Sequence, residues 1–137
     1  AFALVMRSLG GDEFIAHLLK GLPFGPTGIL IFILLVAFIA GFFLDWLEIV
    51  LIILPLVAPV VKDLGFNLIW FVVVFAVCLQ TSFLTPPVGV NLFLASYRFE
   101  RPMSEIIVAV LPWLAIRAVG VLAITYLPWL TLVFLDR

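Results

Sequence analysis

Gly41-Phe42-Phe43-Leu44-Asp45 divides a long apolar segment, residues 27–61, into two arms. As one straight helix these 35 residues would be about 52 Å long, whereas the hydrocarbon core of a bilayer is about 30 Å thick. Two full crossings would place residues 41–48 at a membrane surface, where a polar loop is expected, yet this stretch is mostly apolar. The sequence therefore predicts a re-entrant helical hairpin: helix over residues 27–40, a non-helical tip at 42–45 inside the protein, and helix again to residue 61.

The composition is that of a membrane protein. Of 137 residues, 66% are hydrophobic and 11% are charged, against roughly half and a quarter in an ordinary soluble domain. Lipid can solvate the apolar outer faces of helices, so we expect an all-α, polytopic membrane protein in contact with the lipid bilayer. The formal net charge of −1 gives no reason to expect a nucleic-acid partner. The single cysteine, Cys78, lies in an apolar run and is predicted to be a small buried residue.

A second apolar run, residues 67–95, is interrupted by Thr85-Pro86-Pro87-Val88-Gly89-Val90-Asn91. Neither proline has an amide hydrogen with which to continue a helix. Leucine and phenylalanine residues on both sides keep the break away from a loop in water. Irregular backbone at membrane depth is tolerated only where protein or a polar cavity satisfies it. The pattern therefore predicts a discontinuous transmembrane helix.

The opening residues differ from the rest of the chain. Residues 1–6 are apolar but too short to cross a bilayer, and we expect them to end a preceding helix of a longer protein. Hydrophobic residues at helical spacing then predict a short amphipathic helix at the membrane interface, with His17 in a solvated position. We accordingly divide the chain into an opening part, residues 1–22, and a main unit, residues 23–137, which holds the hairpin, the broken helix and a final transmembrane helix.

The final helix is predicted to begin at Ser104 and to run to about residue 135. Trp113 and Trp129 would then lie about 24 Å apart along its axis, which is near the separation of the two aromatic belts of a membrane protein. Packing of both tryptophans against neighbouring helices explains them equally well. Arg117, inside this helix, would either pair with a carboxylate or extend toward the interface.

Both breaks offer ligands for a cation. Unwound carbonyls and the carboxy-terminal ends of half-helices bind sodium in transporters with broken helices, and Asp45, Ser82, Thr85 and Asn91 supply side-chain oxygens nearby. An aspartate near the bilayer centre is costly and requires a reason. That reason is either cation binding or capping of the second arm through the amide of the second or third residue after Asp45. The double proline likewise admits a simple kink without ligands.

The order of these motifs resembles a known family. Three stretches are similar to the second repeat of the DctM-type large membrane subunit of TRAP transporters: Gly-Phe-Phe-Leu-Asp-Trp-Leu-Glu-Ile from residue 41, Leu-Pro-Leu-Val-Ala-Pro-Val from residue 54, and Gln-Thr-Ser-Phe-Leu-Thr-Pro-Pro-Val-Gly-Val-Asn-Leu-Phe from residue 80. The resemblance covers residues 2–135, and Thr-Pro-Pro-Val-Gly-Val-Asn is its most specific part.

The resemblance implies a sodium-coupled secondary transporter, multi-pass in the bacterial inner membrane, that imports organic acids or similar small anions. It implies no enzymatic activity and no cofactor, with the sodium ion as coupling ion. A small TRAP membrane subunit and a periplasmic substrate-binding protein would be the partners. By position, the sodium- or substrate-binding residues of the family correspond to Gly41, Asp45, Thr85, Pro86, Pro87, Gly89 and Asn91.

Residues 23–137 would be the carboxy-terminal one of two inverted transport repeats, so the chain alone is not expected to transport. The hairpin ends and the carboxy terminus would face the periplasm, and the loop at residues 98–101 the cytoplasm. The alternatives are a dicarboxylate or ion-antiport permease of the wider ion-transporter superfamily, which needs no binding protein, and an accessory membrane subunit. An intramembrane aspartyl protease would need two aspartates at membrane depth, and only Asp45 qualifies.

Overall fold

The computed structural model describes residues 4–5, 8–86 and 89–133, without the side chains of Asp12 and Val90. Within these ranges the chain is helical and has no strand, which confirms the all-α class. The helical elements are α1 Gly11–Lys20, α2 Pro26–Ala40, α3 Trp46–Glu48, a π-helical segment Ile49–Ile53, α4 Leu54–Asp63, α5 Leu68–Leu84, α6 Val90–Phe99, α7 Met103–Tyr126 and α8 Trp129–Leu132.

The amphipathic helix α1 packs against α4. Leu19 faces the core, whereas Phe14 and His17 are exposed. At the end of α1, Lys20 Nζ lies 2.9 Å from Asp63 Oδ2. Because Lys20 precedes α2 and Asp63 ends α4, this ion pair holds the start of the first arm beside the end of the second.

The two arms predicted for residues 27–61 are present. α2 carries Pro26 in its first turn, where the missing amide is no loss, and it ends before Gly41. The backbone is non-helical over residues 41–45, and helix resumes at Trp46. The predicted bounds of the two helices and the non-helical stretch between them are therefore confirmed to within a residue or two. The predicted position of the tip inside the protein is not seen within the described residues, since Phe43, Leu44 and Asp45 are exposed. α2 also contacts the π-helical segment, so the chain reverses direction at the tip.

The π-helical segment lies immediately before Pro55 in the second arm. A proline has no amide to bond to the carbonyl four residues earlier, and its ring crowds that carbonyl. For Pro55 this is the carbonyl of Leu51, inside the segment. A π-helical turn is wider than an α-helical turn and bonds to the fifth residue instead of the fourth. The second arm therefore continues past the proline as helix as far as Asp63.

α5 is the central helix, since it contacts α2, α4, α6, α7 and α8. Its side chains Phe71, Val74 and Phe75 are buried against α2 and the second arm, where Ile33 and Val60 are also buried. Cys78, also on α5, is buried as predicted. α5 ends at Leu84 and α6 begins at Val90, so the predicted interruption between two helices is confirmed.

The final helix departs from the prediction. α7 ends at Tyr126 instead of near residue 135, because Pro128 has no amide to bond to the carbonyl of Ile124. A short helix, α8, follows. Trp113 and Trp129 therefore lie on different helices, and their predicted spacing along one helix axis is wrong. Residues 134–137 lie outside the described part.

α7 is, within the described residues, the one helix long and apolar enough to cross a membrane, with a mean hydropathy of 2.3. The apolar helices α2 and α5 are shorter. No residue of α7 is buried within the chain, so its surface is available to lipid or to other protein.

Candidate functional site

The two predicted breaks meet at one cavity. Its volume is about 400 Å³, and it is open on one side. Asp45 at the hairpin tip and Asn91 in the first turn of α6 both line it, with the aromatic and apolar side chains Phe43, Leu44, Trp46 and Phe83. Two of the predicted site residues, 46 positions apart in the sequence, therefore share a small polar region with apolar walls.

Asp45 caps the second arm, but through a different amide from the one predicted. Its Oδ1 accepts a hydrogen bond from the amide of Trp46, the next residue, at 2.7 Å. The prediction of the second or third amide is therefore wrong. One carboxylate oxygen, Oδ2, accepts no hydrogen bond from the described residues. Asp45 therefore caps the arm and still presents an oxygen at the cavity.

Gly41 packs directly on the end of α5. A Cβ at this position would lie 2.5 Å from Ser82 Oγ and 3.0 Å from Ser82 Cβ, so a larger residue would not fit. Ser82 is fully buried, and its hydroxyl donates to the carbonyl of Phe38 in the last turn of α2. Ser82 was predicted to supply a nearby ligand oxygen. In the structure its hydrogen bond to Phe38 connects α5 to the end of α2, next to the hairpin tip.

Gly89 lies against the carboxy-terminal end of α5. A Cβ here would lie 2.5 Å from the carbonyl oxygen of Phe83 and 3.1 Å from that of Thr85. The carbonyl of Phe83 has no helical donor four residues on, because that residue is Pro87. This oxygen is a further candidate ligand that was not predicted, although the missing amide of Pro87 is a signal for it in the sequence. Oxygens at a helix carboxy terminus carry partial negative charge and attract cations.

Thr85 does not line the cavity that Asp45 and Asn91 share. Its hydroxyl donates to the carbonyl of Thr81 at 2.7 Å, and the residue lines a separate groove of about 450 Å³ between α5 and α7. The prediction that its side-chain oxygen shares the Asp45 site is therefore not met in this structure. Pro86 is half-buried at the start of the break, and Pro87 lies outside the described residues.

The donor set suits a hard cation better than a transition metal. Nowhere in the described part of the chain do three His, Cys, Asp or Glu side chains come together. The available ligands are a carboxylate, an amide oxygen and backbone carbonyls, and oxygen donors of this kind bind hard cations. The chemistry of these residues would suit a hard cation, for which Asp45 would be the charged ligand.

Sequence comparisons identify the family to which the chain is similar. Residues 1–130 match the family model described as "Tripartite ATP-independent periplasmic transporter, DctM component". The C4-dicarboxylate TRAP transporter large permease protein DctM of Pseudomonas aeruginosa is 34% identical over 131 residues, which are 96% of this chain and 31% of that protein. The corresponding protein of Rhodobacter capsulatus is 36% identical over 82% of this chain and 25% of its own length.

Relatives with other names match as well. The isethionate TRAP transporter permease protein DctMQ of Oleidesulfovibrio alaskensis is 33% identical over 88% of this chain and 19% of its own length. The ectoine/5-hydroxyectoine TRAP transporter large permease protein UehC of Ruegeria pomeroyi is 28% identical over 99% of this chain. No solved structure matches the chain.

These relatives are permeases, a class of transporters and not of enzymes. The chain belongs to the DctM family of tripartite ATP-independent periplasmic transporters. It spans about a third of the length of the curated relatives it matches.

Proposed function

We propose that this chain is the carboxy-terminal transport repeat of a sodium-coupled secondary transporter, which imports organic acids or similar small anions delivered by a periplasmic binding protein. Family membership supports transport, and the words "tripartite" and "periplasmic" in the family description support two further components. We take these to be a small TRAP membrane subunit and a periplasmic substrate-binding protein. The relatives named for C4-dicarboxylates, isethionate and ectoine support a small, charged organic substrate.

The proposed membrane placement follows from helix lengths. α2 is about 22 Å long at 1.5 Å per residue, short of the roughly 30 Å hydrocarbon core, which supports a re-entrant hairpin. α5 and α6 would form a discontinuous transmembrane helix, and α7 a complete crossing. Arg98 in the last turn of α6 and Arg101 in the loop after it support a cytoplasmic position for that loop in the bacterial inner membrane. The hairpin ends would then face the periplasm.

The observation that carries the proposal is the shared cavity of Asp45 and Asn91. Asp45 is exposed within the described part of the chain. At membrane depth its free Oδ2 would need a positive partner, and a sodium ion would supply it. The amide oxygen of Asn91 and carbonyl oxygens at the helix breaks would complete the shell. Binding of the cation would hold the hairpin tip against the broken helix, and the added positive charge would favour an anionic substrate nearby.

The test uses the whole permease with both partners, in proteoliposomes with a sodium gradient. Asn caps a helix about as well as Asp, so Asp45→Asn should leave the arm folded and remove only the charge. A charge-assisted contact is worth about 1.5–3 kcal/mol, so half-maximal uptake should need roughly 10- to 150-fold more sodium. An unshifted sodium curve would remove the Asp45 carboxylate from the mechanism.

Glu48 offers a matched control, since it is an exposed carboxylate three residues further on that does not line the cavity. Glu48→Gln removes the same charge and should leave the sodium curve unchanged. Asn91→Leu should shift the curve in the direction of Asp45→Asn, to a smaller extent because a neutral oxygen is lost. Thr85→Val should shift it less than Asn91→Leu, because the Thr85 hydroxyl is already bonded to Thr81.

A further inference from the structure

Arg117 is a charged side chain in the interior of the membrane-spanning candidate α7. At 1.5 Å per residue it lies about 21 Å from the start of the helix and about 14 Å from its end. The residues around it in α7 are apolar, and Ile116 and Val119 are exposed. A charged group at membrane depth is costly and is normally paired with another group or with a water-filled cavity.

The contact that Arg117 makes within the chain does not neutralise it. Its Nη1 lies 3.2 Å from Oε1 of Gln80 on α5. A guanidinium has five N–H donors in a planar fork, and a neutral amide oxygen satisfies one of them. The bond to Gln80 therefore orients the guanidinium and leaves its charge and most of its donors for another partner.

The described carboxylates lie elsewhere in the fold. Asp63 and Glu105 are paired with Lys20 and Arg101, and Asp45 lies at the hairpin tip. The other described carboxylates are exposed and lie outside α5 and α7: Glu13, Glu48 and Glu100. The described part of the chain places no carboxylate within ion-pairing distance of Arg117. The partner, if it is a carboxylate, must come from outside the described residues.

The family comparison shows where such a partner can come from. This chain matches 31% of the length of the Pseudomonas aeruginosa permease, so roughly two thirds of that permease lies beyond the matched part. One side of α7 packs on α5 and α6, whereas Val108, Leu111, Ile116 and Val119 are exposed and can contact further protein.

We infer that Arg117, oriented by Gln80, forms an intramembrane ion pair with an Asp or Glu side chain of the remaining part of the permease. A guanidinium matches a carboxylate with two parallel hydrogen bonds. The pair would fix α7, and through Gln80 also α5, against the rest of the transporter. The inference rests on the proposed function only in that α7 crosses the membrane; it does not depend on sodium or substrate.

The experiment is thermal unfolding of the full-length permease with its small membrane subunit, purified in lipid nanodiscs without any organic anion. Arg117→Met removes the charge and would leave the partner carboxylate buried and unpaired. Such a group destabilises strongly when ionised and takes up a proton more easily than in water. We expect the unfolding temperature of Arg117→Met to fall by several degrees at about pH 8.5 and this deficit to shrink at about pH 5.5. The unfolding temperature of Arg117→Lys should fall less than that of Arg117→Met, because lysine keeps the positive charge.

Arg98→Met is the matched control, because it removes an exposed arginine from α6 and should change the unfolding temperature little at either pH. Other titratable or charged groups on α7 and on the helices packed against it are Cys78, Tyr97, Arg98, Glu105 and Tyr126. All of these except Arg98 are retained in the control, so their titration appears there too.

Two results would overturn the inference. If Arg117→Met is as stable as the parent or more stable, Arg117 has no buried counterion. If the deficit is the same at both pH values, the loss comes from packing or from Gln80 and not from an orphaned carboxylate. Neither result bears on the sodium curve of Asp45→Asn, so failure of this inference and failure of the proposed function are separable.

Discussion

Trp70 donates its indole N–H to the backbone carbonyl of Ile124 at 2.8 Å. That carbonyl has no donor from its own helix, because the residue four positions on is Pro128. The same arrangement recurs at the end of α2, where the amide of Phe42 bonds to Ile39. The carbonyl of Phe38 therefore lacks a backbone donor, and it accepts a hydrogen bond from the Ser82 hydroxyl instead. Side chains of α5 therefore satisfy the carbonyls left open at the ends of two other helices.

Trp70→Phe should destabilise the permease, because a buried carbonyl then loses its donor, at a cost of about 1–3 kcal/mol. Pro128→Ala would restore a backbone amide that can bond to Ile124. In the Pro128→Ala background the cost of Trp70→Phe should therefore be smaller, since the packing loss is the same and only the hydrogen bond differs. Thermal unfolding of the four proteins checks this. Equal costs in both backgrounds would show that the indole N–H contributes nothing.

Gly41→Ala should lower stability by about 1–3 kcal/mol through overpacking against Ser82 and should reduce uptake, because it forces the hairpin tip away from α5. Adding Ser82→Ala removes the oxygen that lies 2.5 Å from the new methyl group. The double variant should therefore be less impaired than the sum of the two single variants. Thermal unfolding and uptake of the two single variants and the double variant test this. If the effects of the two substitutions simply add, the predicted contact is contradicted.

Gly89→Ala should impair uptake more than Gly41→Ala, because its methyl group would meet the backbone carbonyl of Phe83, which cannot rotate away. The backbone angles of Gly89 are open to alanine, so the effect would come from contact and not from strain. Gly120→Ala on α7 is the control: no atom lies within 4 Å of the added carbon, and helix propensity favours alanine by about 0.5–1 kcal/mol. Comparable uptake by the Gly89→Ala and Gly120→Ala variants would show that the break tolerates a side chain.

The re-entrant hairpin can be tested by labelling from the two aqueous phases. Gly25 precedes α2 and Lys62 is near the end of α4, and both are exposed. In a Cys78→Ser background, Gly25→Cys and Lys62→Cys should react with an impermeant thiol reagent from the same side of the membrane. Asn67, just before α5, would be a poor site for the cysteine, because it caps α5 through the amides of Ile69 and Trp70. Reaction from opposite sides would replace the hairpin with a complete crossing.

The ends of most helices were predictable from the sequence because nearby residues determine where each helix begins and ends. A segment too long for one crossing, with an apolar centre, gave both arms of the hairpin, and the missing amides of Pro86 and Pro87 located the end of α5. Pro128 also lacks an amide, and on the same ground α7 could have been predicted to end near Tyr126. The resemblance to the DctM family, carried by the motifs around the two breaks, is confirmed.

The contacts within the site were harder to predict from the sequence. Gly41 meets Ser82 and Trp70 meets Ile124 across large sequence separations, and no local pattern encodes such contacts. Thr85 was predicted as a ligand by its position in the break, but the direction of its side chain follows from helical phase. A threonine at a helix end commonly bonds to the carbonyl four residues back, as Thr85 does with Thr81.

The π-helical segment Ile49–Ile53 has a consequence for how the hairpin can vary in length. Its hydrogen bonds span one residue more than those of an α-helix, so this turn holds a surplus residue while the helical faces on either side keep their relative orientation. Deleting one residue here would keep both faces aligned, with a bend remaining at Pro55. A deletion elsewhere in the arm would rotate everything beyond it by about 100°. Single-residue gaps among relatives should therefore concentrate in this turn.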